Sequence, residues 1–363
     1  MTKHLNGARI CLNIEGKGEF VMKENMLEQA LNAQEIYKEN KRYIIDNDLS
    51  IEREAKKIKQ NYFFTKQLLK LITLLNGEKI VIMNKDKEVF PENRPIIFAN
   101  THRFKPDFEK ITISTSVPSS IVASDFINSY KKISGWYFNT RSAIFVDPNS
   151  KEDKKYSYEL MKKYLKSNIN CSIFPEAVWN LSPNRIILDT FFGTVKAALE
   201  TNSIVVCNAI ERYDKTYYIN RSKYIDFSEV SKKYINKSFN ELDENNIEEK
   251  KIKQAIIIEC NNILRDTLAT LLFEIWEKYA NENGLCKRKE ISNNYWNEFV
   301  KSLTNEWPGY DMQDNIEQQY QNQQFIIQNQ VQDDMSKIIP NKNNMFLYQS
   351  QEKFIQNIKI TRK

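Results

Sequence analysis

RPIIFANTHRFKPDFEKITISTSVPSSIVAS, residues 94–124, reads as a strand, a helix and a second strand. IIFA at 96–99 and SIVA at 120–123 are apolar runs too short for a core helix, and a helical pattern sets in at Asp107, directly after Pro106. Uninterrupted apolar strands alternating with helices mark a sheet covered on both faces, the setting of parallel strands. The same grammar extends in both directions. KIVIM at 79–83 precedes the stretch, and SAIFVD at 142–147, a helix over Asp153–Leu165, CSIFPE at 171–176 and NSIVVCNAI at 202–210 follow it. The expected fold is therefore α/β, a mixed and largely parallel sheet flanked by helices, over residues 78–224. In the Asp153–Leu165 helix, Tyr156, Leu160 and Tyr164 share one face, while Lys154, Lys155, Lys162 and Lys163 lie largely elsewhere.

Helical extensions are expected at both ends. In the first region, 1–77, ARICLNIEGKGEFVM at 8–22 reads as a hairpin around Gly16-Lys17-Gly18. From Asn25 to Asn76 glycine is absent, and Ile58, Tyr62, Leu69 and Ile72 recur at helical spacing until Gly77 closes the region. Its last turns, FFTKQLLKLITLLNG at 63–77, mix apolar residues with lysines, a pattern shared by helices packed on a core and helices lying on a membrane. Core packing is the commoner of the two. Beyond Tyr224, Ile252, Ile256, Ile263, Thr267, Leu271 and Ile275 form one stripe of a long helix, giving a helical C-terminal region over 225–310. The remainder, 311–363, is an Asn/Gln-rich tail to which no chemistry is assigned.

Composition narrows the function classes. The five cysteines, Cys11, Cys171, Cys207, Cys260 and Cys286, are scattered without a Cys-x-x-Cys pair, which argues against both a disulfide framework and a zinc site. No metal is expected, and a reducing cytoplasm is the expected compartment. The opening residues interleave charges and glycines with apolar residues, leaving no signal-peptide core. No apolar run approaches the roughly 20 residues that span a bilayer, so any membrane contact would be peripheral. A net charge of +6 favours anionic surfaces such as lipid, while the lack of a basic arm or recognition motif argues against nucleic acid.

Candidate chemistry gathers at two strand ends. His102, one of only two histidines, follows RPIIFAN directly, and in open α/β sheets ligands bind at the carboxyl ends of strands. Asp107 stands five residues on, in what should be the first turn of a helix. An imidazole there can take a proton from an attacking hydroxyl while a carboxylate fixes its tautomer and steadies the imidazolium. On spacing alone a structural histidine remains the default reading. A second polar strand end, CSIFPEAVWN at 171–180, then brings Glu176 into play; capping a helix or pairing with a lysine is its bland alternative.

Taken in order, these motifs resemble the glycerophospholipid acyltransferase family, whose members include lysophosphatidic acid acyltransferases of the PlsC type. His102 and Asp107 resemble its His-x4-Asp pair, and Phe174-Pro175-Glu176 its Phe-Pro-Glu-Gly motif. Gly193 in DTFFGTVKAALE falls where the family has a glycine before a helix, SAIFVDP resembles the motif that supplies an acceptor-binding arginine, and SIVVCNAI resembles the closing strand. The match covers about residues 78–220. It implies a fatty acyl group moved from an acyl thioester, acyl-CoA or acyl-ACP, onto an acceptor hydroxyl in glycerolipid or phospholipid synthesis. No bound cofactor is implied, and the enzyme would be cytoplasmic and peripherally membrane-associated. His102 would be the general base oriented by Asp107, and Glu176, with Ala177, Trp179 and Asn180 beside it, would belong to the acceptor site.

The departures bear on the acceptor. Pro148 replaces the family arginine after SAIFVD, Ala177 the glycine after the glutamate, Trp179 a frequent arginine, and Asn208 a frequent proline. Arg103, Arg141 and Arg185 are the candidate substitutes for gripping phosphate, since a guanidinium fork suits that group. Two further readings therefore stand beside the first: an acyltransferase for a non-phosphorylated sugar, polyol or other metabolite hydroxyl, and a catalytically silent scaffold that binds a membrane or partner.

Overall fold

The computed structural model describes residues 17–279, apart from 88, 92, 105, 126, 131, 178–179, 181–186 and 214. Two helices, α1 (Lys17–Asp46) and α2 (Asp48–Leu75), precede the sheet. The sheet region then runs β1 (Lys79–Ile82), β2 (Ile96–Asn100), α3 (Asp107–Ser114), β3 (Ser119–Ser124), α4 (Lys132–Thr140), β4 (Ile144–Val146), α5 (Lys151–Lys166), β5 (Asn170–Ile173), α6 (Gly193–Thr201), β6 (Ile204–Tyr213) and β7 (Thr216–Ile225). Helices α7 (Ser228–Tyr234) and α8 (Ile247–Tyr279) follow.

The seven strands form one sheet in the order β1-β7-β6-β2-β5-β3-β4. Strands β6, β2, β5, β3 and β4 are parallel; β7 is antiparallel to β6, and β1 runs with β7. This is the mixed, largely parallel sheet with helical ends that the apolar runs required. Helices on both faces are why β2 is buried at every residue. Ile97 and Ala99 point to the layer containing Leu160, Leu165, Val195, Leu264, Leu268 and Leu272. Ile96 and Phe98 point the other way, where they meet Ile204 and Val206.

Four local outcomes differ from the sequence reading. The hairpin expected over 8–22 is not formed from Lys17 onward, where the chain is already helical; residues 8–16 lie outside the described residues. The glycine-free stretch that follows is two helices, separated at Asn47, whose side chain accepts from the backbone N–H groups of Leu49 and Ser50 as an N-cap. Strand β7 was not anticipated at all. Its signal was legible, since Tyr217 and Ile219 face the core with period two and TYYINRSKYI is rich in strand-forming residues. Helix α8, anticipated as an appendage, instead supplies Ile256, Cys260, Leu264, Leu268 and Leu272 to the central core, and its Leu271 carbonyl accepts from Asn220 of β7.

Helix α1 also protects the sheet. The edge strand β4 offers unpaired backbone groups, a template for unwanted pairing. The Tyr37 hydroxyl donates to the Ala143 carbonyl and accepts from the Phe145 N–H, and Lys41 donates to the Phe145 carbonyl at 2.8 Å. Lys41 is itself paired with Asp153 at 2.5 Å.

Candidate active site

The chain leaving β2 stays bound to β6. Thr101 N–H donates to the Asn208 carbonyl, and Ile210 N–H donates to Thr101 Oγ1, both at 3.0 Å. His102 is thereby fixed at the carboxyl end of the central strand, on the side of the sheet where α3 begins. The next five residues turn back tightly. Asp107 N–H donates to the Phe104 carbonyl at 3.3 Å, and Asp107 opens α3 after Pro106. His102 Nδ1 lies 3.2 Å from Asp107 Oδ2, which also accepts the N–H groups of Arg103 at 2.6 Å and Phe104 at 2.9 Å.

This crowding decides the proton's place. Oδ2 already accepts from two donors, so the hydrogen in the third bond belongs to Nδ1, which leaves Nε2 as the basic ring nitrogen. The other carboxylate oxygen, Oδ1, is buried with no hydrogen-bond partner among the described residues. Burial drives the Asp107 carboxyl above its ordinary pKa, against the opposing pull of His102 and the two backbone donors.

Aromatic rings wall the imidazole. Phe174, just past β5, stacks on it with centroids 4.1 Å apart, and Phe108 of α3 meets both rings edge-on, at 6.1 Å from His102 and 4.5 Å from Phe174. The His102 side chain is 12% exposed while Asp107 is fully enclosed. The pair therefore has one wet end and one dry end.

Glu176 is fastened to the same turn. One carboxylate oxygen accepts the His102 N–H at 3.0 Å and the other the Leu188 N–H at 2.9 Å, with the residue buried. The buried Asn180 adds a second tie, its N–H donating to the His102 carbonyl at 2.6 Å. Ala177 occupies the left-handed region at φ +58°, where a side chain costs energy and glycine does not.

The remaining candidates are dispersed. Arg103 is enclosed and pairs with Glu211 of β6 at 3.6 Å. Arg141 is at the wrong end of the sheet. Its guanidinium donates to the carbonyl and hydroxyl of Ser119 at 2.5–2.9 Å, and Ser119 is level with Asn170 and Ile96, about 13 Å below the end of β2 at ~3.3 Å per residue. Burial also lowers the Arg141 pKa. Pro148 is exposed beyond β4, three strands from β2. Trp179 and Arg185 lie outside the described residues.

A buried polar chain runs beneath His102 and was missed from sequence. Arg221 Nε of β7 donates to Asn208 Oδ1 at 2.8 Å, Asn208 Nδ2 donates to Asn100 Oδ1 at 2.9 Å, and Asn100 Nδ2 donates to Ser172 Oγ and the Ile173 carbonyl at 3.0 Å. Arg221 also reaches the Ser114 carbonyl at the end of α3. It joins β7, β6, β2 and β5 at the level of the site, which explains an asparagine at 208: the side chain must accept on one side and donate on the other.

No protein-family model matches the sequence, and no curated protein matches it. Among solved structures the chain is similar to the crystal structure of the 1-acyl-sn-glycerophosphate (LPA) acyltransferase, PlsC, from Thermotoga maritima. The two share 14% identity with a TM-score of 0.39, over 66% of this chain and 97% of that one. At that level the likeness carries no argument about chemistry, which rests on the residues themselves. Those residues amount to an imidazole with a fixed tautomer, an aromatic wall suited to apolar substrate, and two strand ends tied together by Glu176. Among the described residues no cluster of histidine, cysteine or carboxylate side chains has the make-up of a metal site.

Proposed function

We propose that the protein is an O-acyltransferase that moves a fatty acyl group from an acyl thioester, acyl-CoA or acyl-ACP, to an acceptor hydroxyl, with His102 as general base. The single observation that carries this reading is the bond between His102 Nδ1 and an Asp107 oxygen that already accepts two backbone N–H groups. In the reaction Nε2 takes the proton of the acceptor hydroxyl as its oxygen attacks the thioester carbonyl carbon. Asp107 steadies the imidazolium. Collapse of the tetrahedral intermediate breaks the C–S bond, and the departing thiolate takes that proton from Nε2. No covalent enzyme intermediate is needed. Phe174 and Phe108 suit an acyl chain better than a free ion.

The acceptor we propose lacks a phosphomonoester. Pro148 offers no donor, Arg103 is enclosed and ion-paired with Glu211, and Arg141 serves Ser119 at the far end of the sheet, so none of these three presents an exposed charge-assisted grip for a dianion. A lipid hydroxyl fits best, because α2 carries a second apolar face opposite its buried stripe. Phe63, Phe64, Leu71, Leu74 and Leu75 are all at least half exposed there, flanked by Lys59, Lys66 and Lys70. Among the described residues no helix is long and apolar enough to cross a membrane, so contact through this face would be peripheral.

Turnover of wild type, His102→Ala and Asp107→Asn with acyl thioesters and a panel of phosphorylated and non-phosphorylated acceptors tests the reading. His102→Ala should lose about 100-fold or more, since general-base assistance is worth about 10² to 10⁴. Asp107→Asn should also lose activity. Near-wild-type turnover in both variants would overturn the assignment, and a strong preference for phosphomonoesters would overturn the acceptor.

A further inference from the structure

Residues 187–192, which lead into α6, are held at four points yet point two phenylalanines outward. Leu188 N–H donates to Glu176, Thr190 Oγ1 donates to Asn261 Oδ1, the Asn261 amide donates back to the Thr190 carbonyl at 3.1 Å, and Phe191 N–H donates to the Pro175 carbonyl at 2.9 Å. Ile187, Leu188 and Thr190 are buried, whereas Phe191 is 65% exposed and Phe192 51%. A loose loop would explain exposed rings by poor packing. This ledge is pinned on both sides, so its backbone holds the rings in water, where apolar surface is unfavourable. Its anchor, Pro175, lies between Phe174, which stacks on His102, and Glu176.

The same rim carries two other groups. The end of α2 brings Leu71, Leu74 and Leu75 to it, because Lys79 begins β1 only four residues later and its N–H donates to the Lys215 carbonyl in the β6–β7 turn. That turn projects beyond the level of His102: Asn100 pairs with Asn208, and β6 continues five residues to Tyr213. Lys79, Arg212 and Lys215 are exposed there; Arg212 pairs with Glu78 at 3.9 Å, and Asp189 of the ledge faces Arg265 at 3.4 Å, which leaves Lys79 and Lys215 to give the rim its basic character. Apolar rings beside a basic rim complement an anionic bilayer, since a lipid surface takes up apolar side chains and attracts lysine and arginine.

We propose that Phe191 and Phe192 enter the interfacial layer of an anionic membrane, so that the carboxyl edge of the sheet, with His102 in it, faces the lipid. The orientation rests on the reading of the protein as acting at a membrane, but the insertion is measured without any substrate. It gives the acceptor a route from the bilayer into the site without leaving apolar surroundings. The ledge is the part that would be wedged in.

The full-length protein is tested against vesicles of phosphatidylcholine with phosphatidylglycerol, as wild type, as Phe191→Ser/Phe192→Ser, and as Phe191→Trp. The serine pair should weaken vesicle binding about tenfold or more, the order expected for two partly inserted rings. Its melting temperature should be unchanged, because both rings are exposed. Tryptophan at 191 should add fluorescence that brominated lipid quenches, above the quenching seen for the native tryptophans. Equal vesicle binding by wild type and the serine pair would overturn the proposal, as would a tryptophan that lipid does not quench. Weaker binding accompanied by a lower melting temperature would also overturn it, by showing that the rings hold the fold. Loss of acyl transfer in His102→Ala with vesicle binding intact separates a failure here from a failure of the catalytic reading.

Discussion

Replacing Glu176 separates two roles that activity alone would confuse. Its two oxygens accept the N–H groups of His102 and Leu188 at 3.0 and 2.9 Å within a buried site. Each buried donor left without a partner costs about 1–3 kcal/mol, so Glu176→Ala should cost roughly 2–6 kcal/mol. That is a large share of the ~5–15 kcal/mol by which domains are stable, and the alanine variant is a poor test because it is expected to fold badly. Glu176→Gln is the useful change: its carbonyl oxygen can still accept one N–H, while its NH₂ faces the other donor. One lost bond, at about 1–3 kcal/mol with ~2–4 °C per kcal/mol, predicts a melting temperature lower by roughly 2–12 °C. Turnover should fall with it, because the His102 backbone is then held from fewer sides, while the KM for the acceptor changes little. Thermal denaturation and steady-state kinetics on the same preparation decide the matter. A melting temperature within 1 °C of wild type, combined with a raised acceptor KM, would refute the positioning argument and make Glu176 a group that touches substrate.

Two further outcomes follow from the backbone and the charges. Ala177→Gly removes a side chain from a left-handed position at φ +58° and should stabilise the protein by up to about 1 kcal/mol after the greater freedom of glycine in the unfolded chain is counted; a lower melting temperature would contradict it. Asp226, whose carboxylate is bound by the Arg94 guanidinium, has its pKa pulled from 3.8 to about 2. A folded-state pKa below the unfolded one contributes stability that is present above about pH 4 and is lost as pH falls towards 2. Asp226→Asn should therefore melt below wild type at neutral pH, with the gap narrowing over that interval, and a gap independent of pH would show that the pairing contributes nothing.

Much of the architecture was written locally. Short apolar runs such as IIFA and SIVV are too short for core helices and suit strands buried on both sides, and the helices between them declare themselves by periodicity, as at Tyr156, Leu160 and Tyr164 of α5. The spacing of His102 and Asp107 was legible for the same reason, since a five-residue turn ending in a helix is a local event. What the sequence could not contain is which distant groups meet. Glu176 reaches the His102 N–H across 74 residues, Arg221 reaches Ser114 across 107, and Arg141, a candidate for gripping phosphate, is drawn to Ser119 at the opposite end of the sheet. Hydrophobic patterning depends on the residue and its near neighbours, so it is written along the chain. A buried polar group finds its partner only when strand order and register bring two segments together, and that choice belongs to the folded sheet.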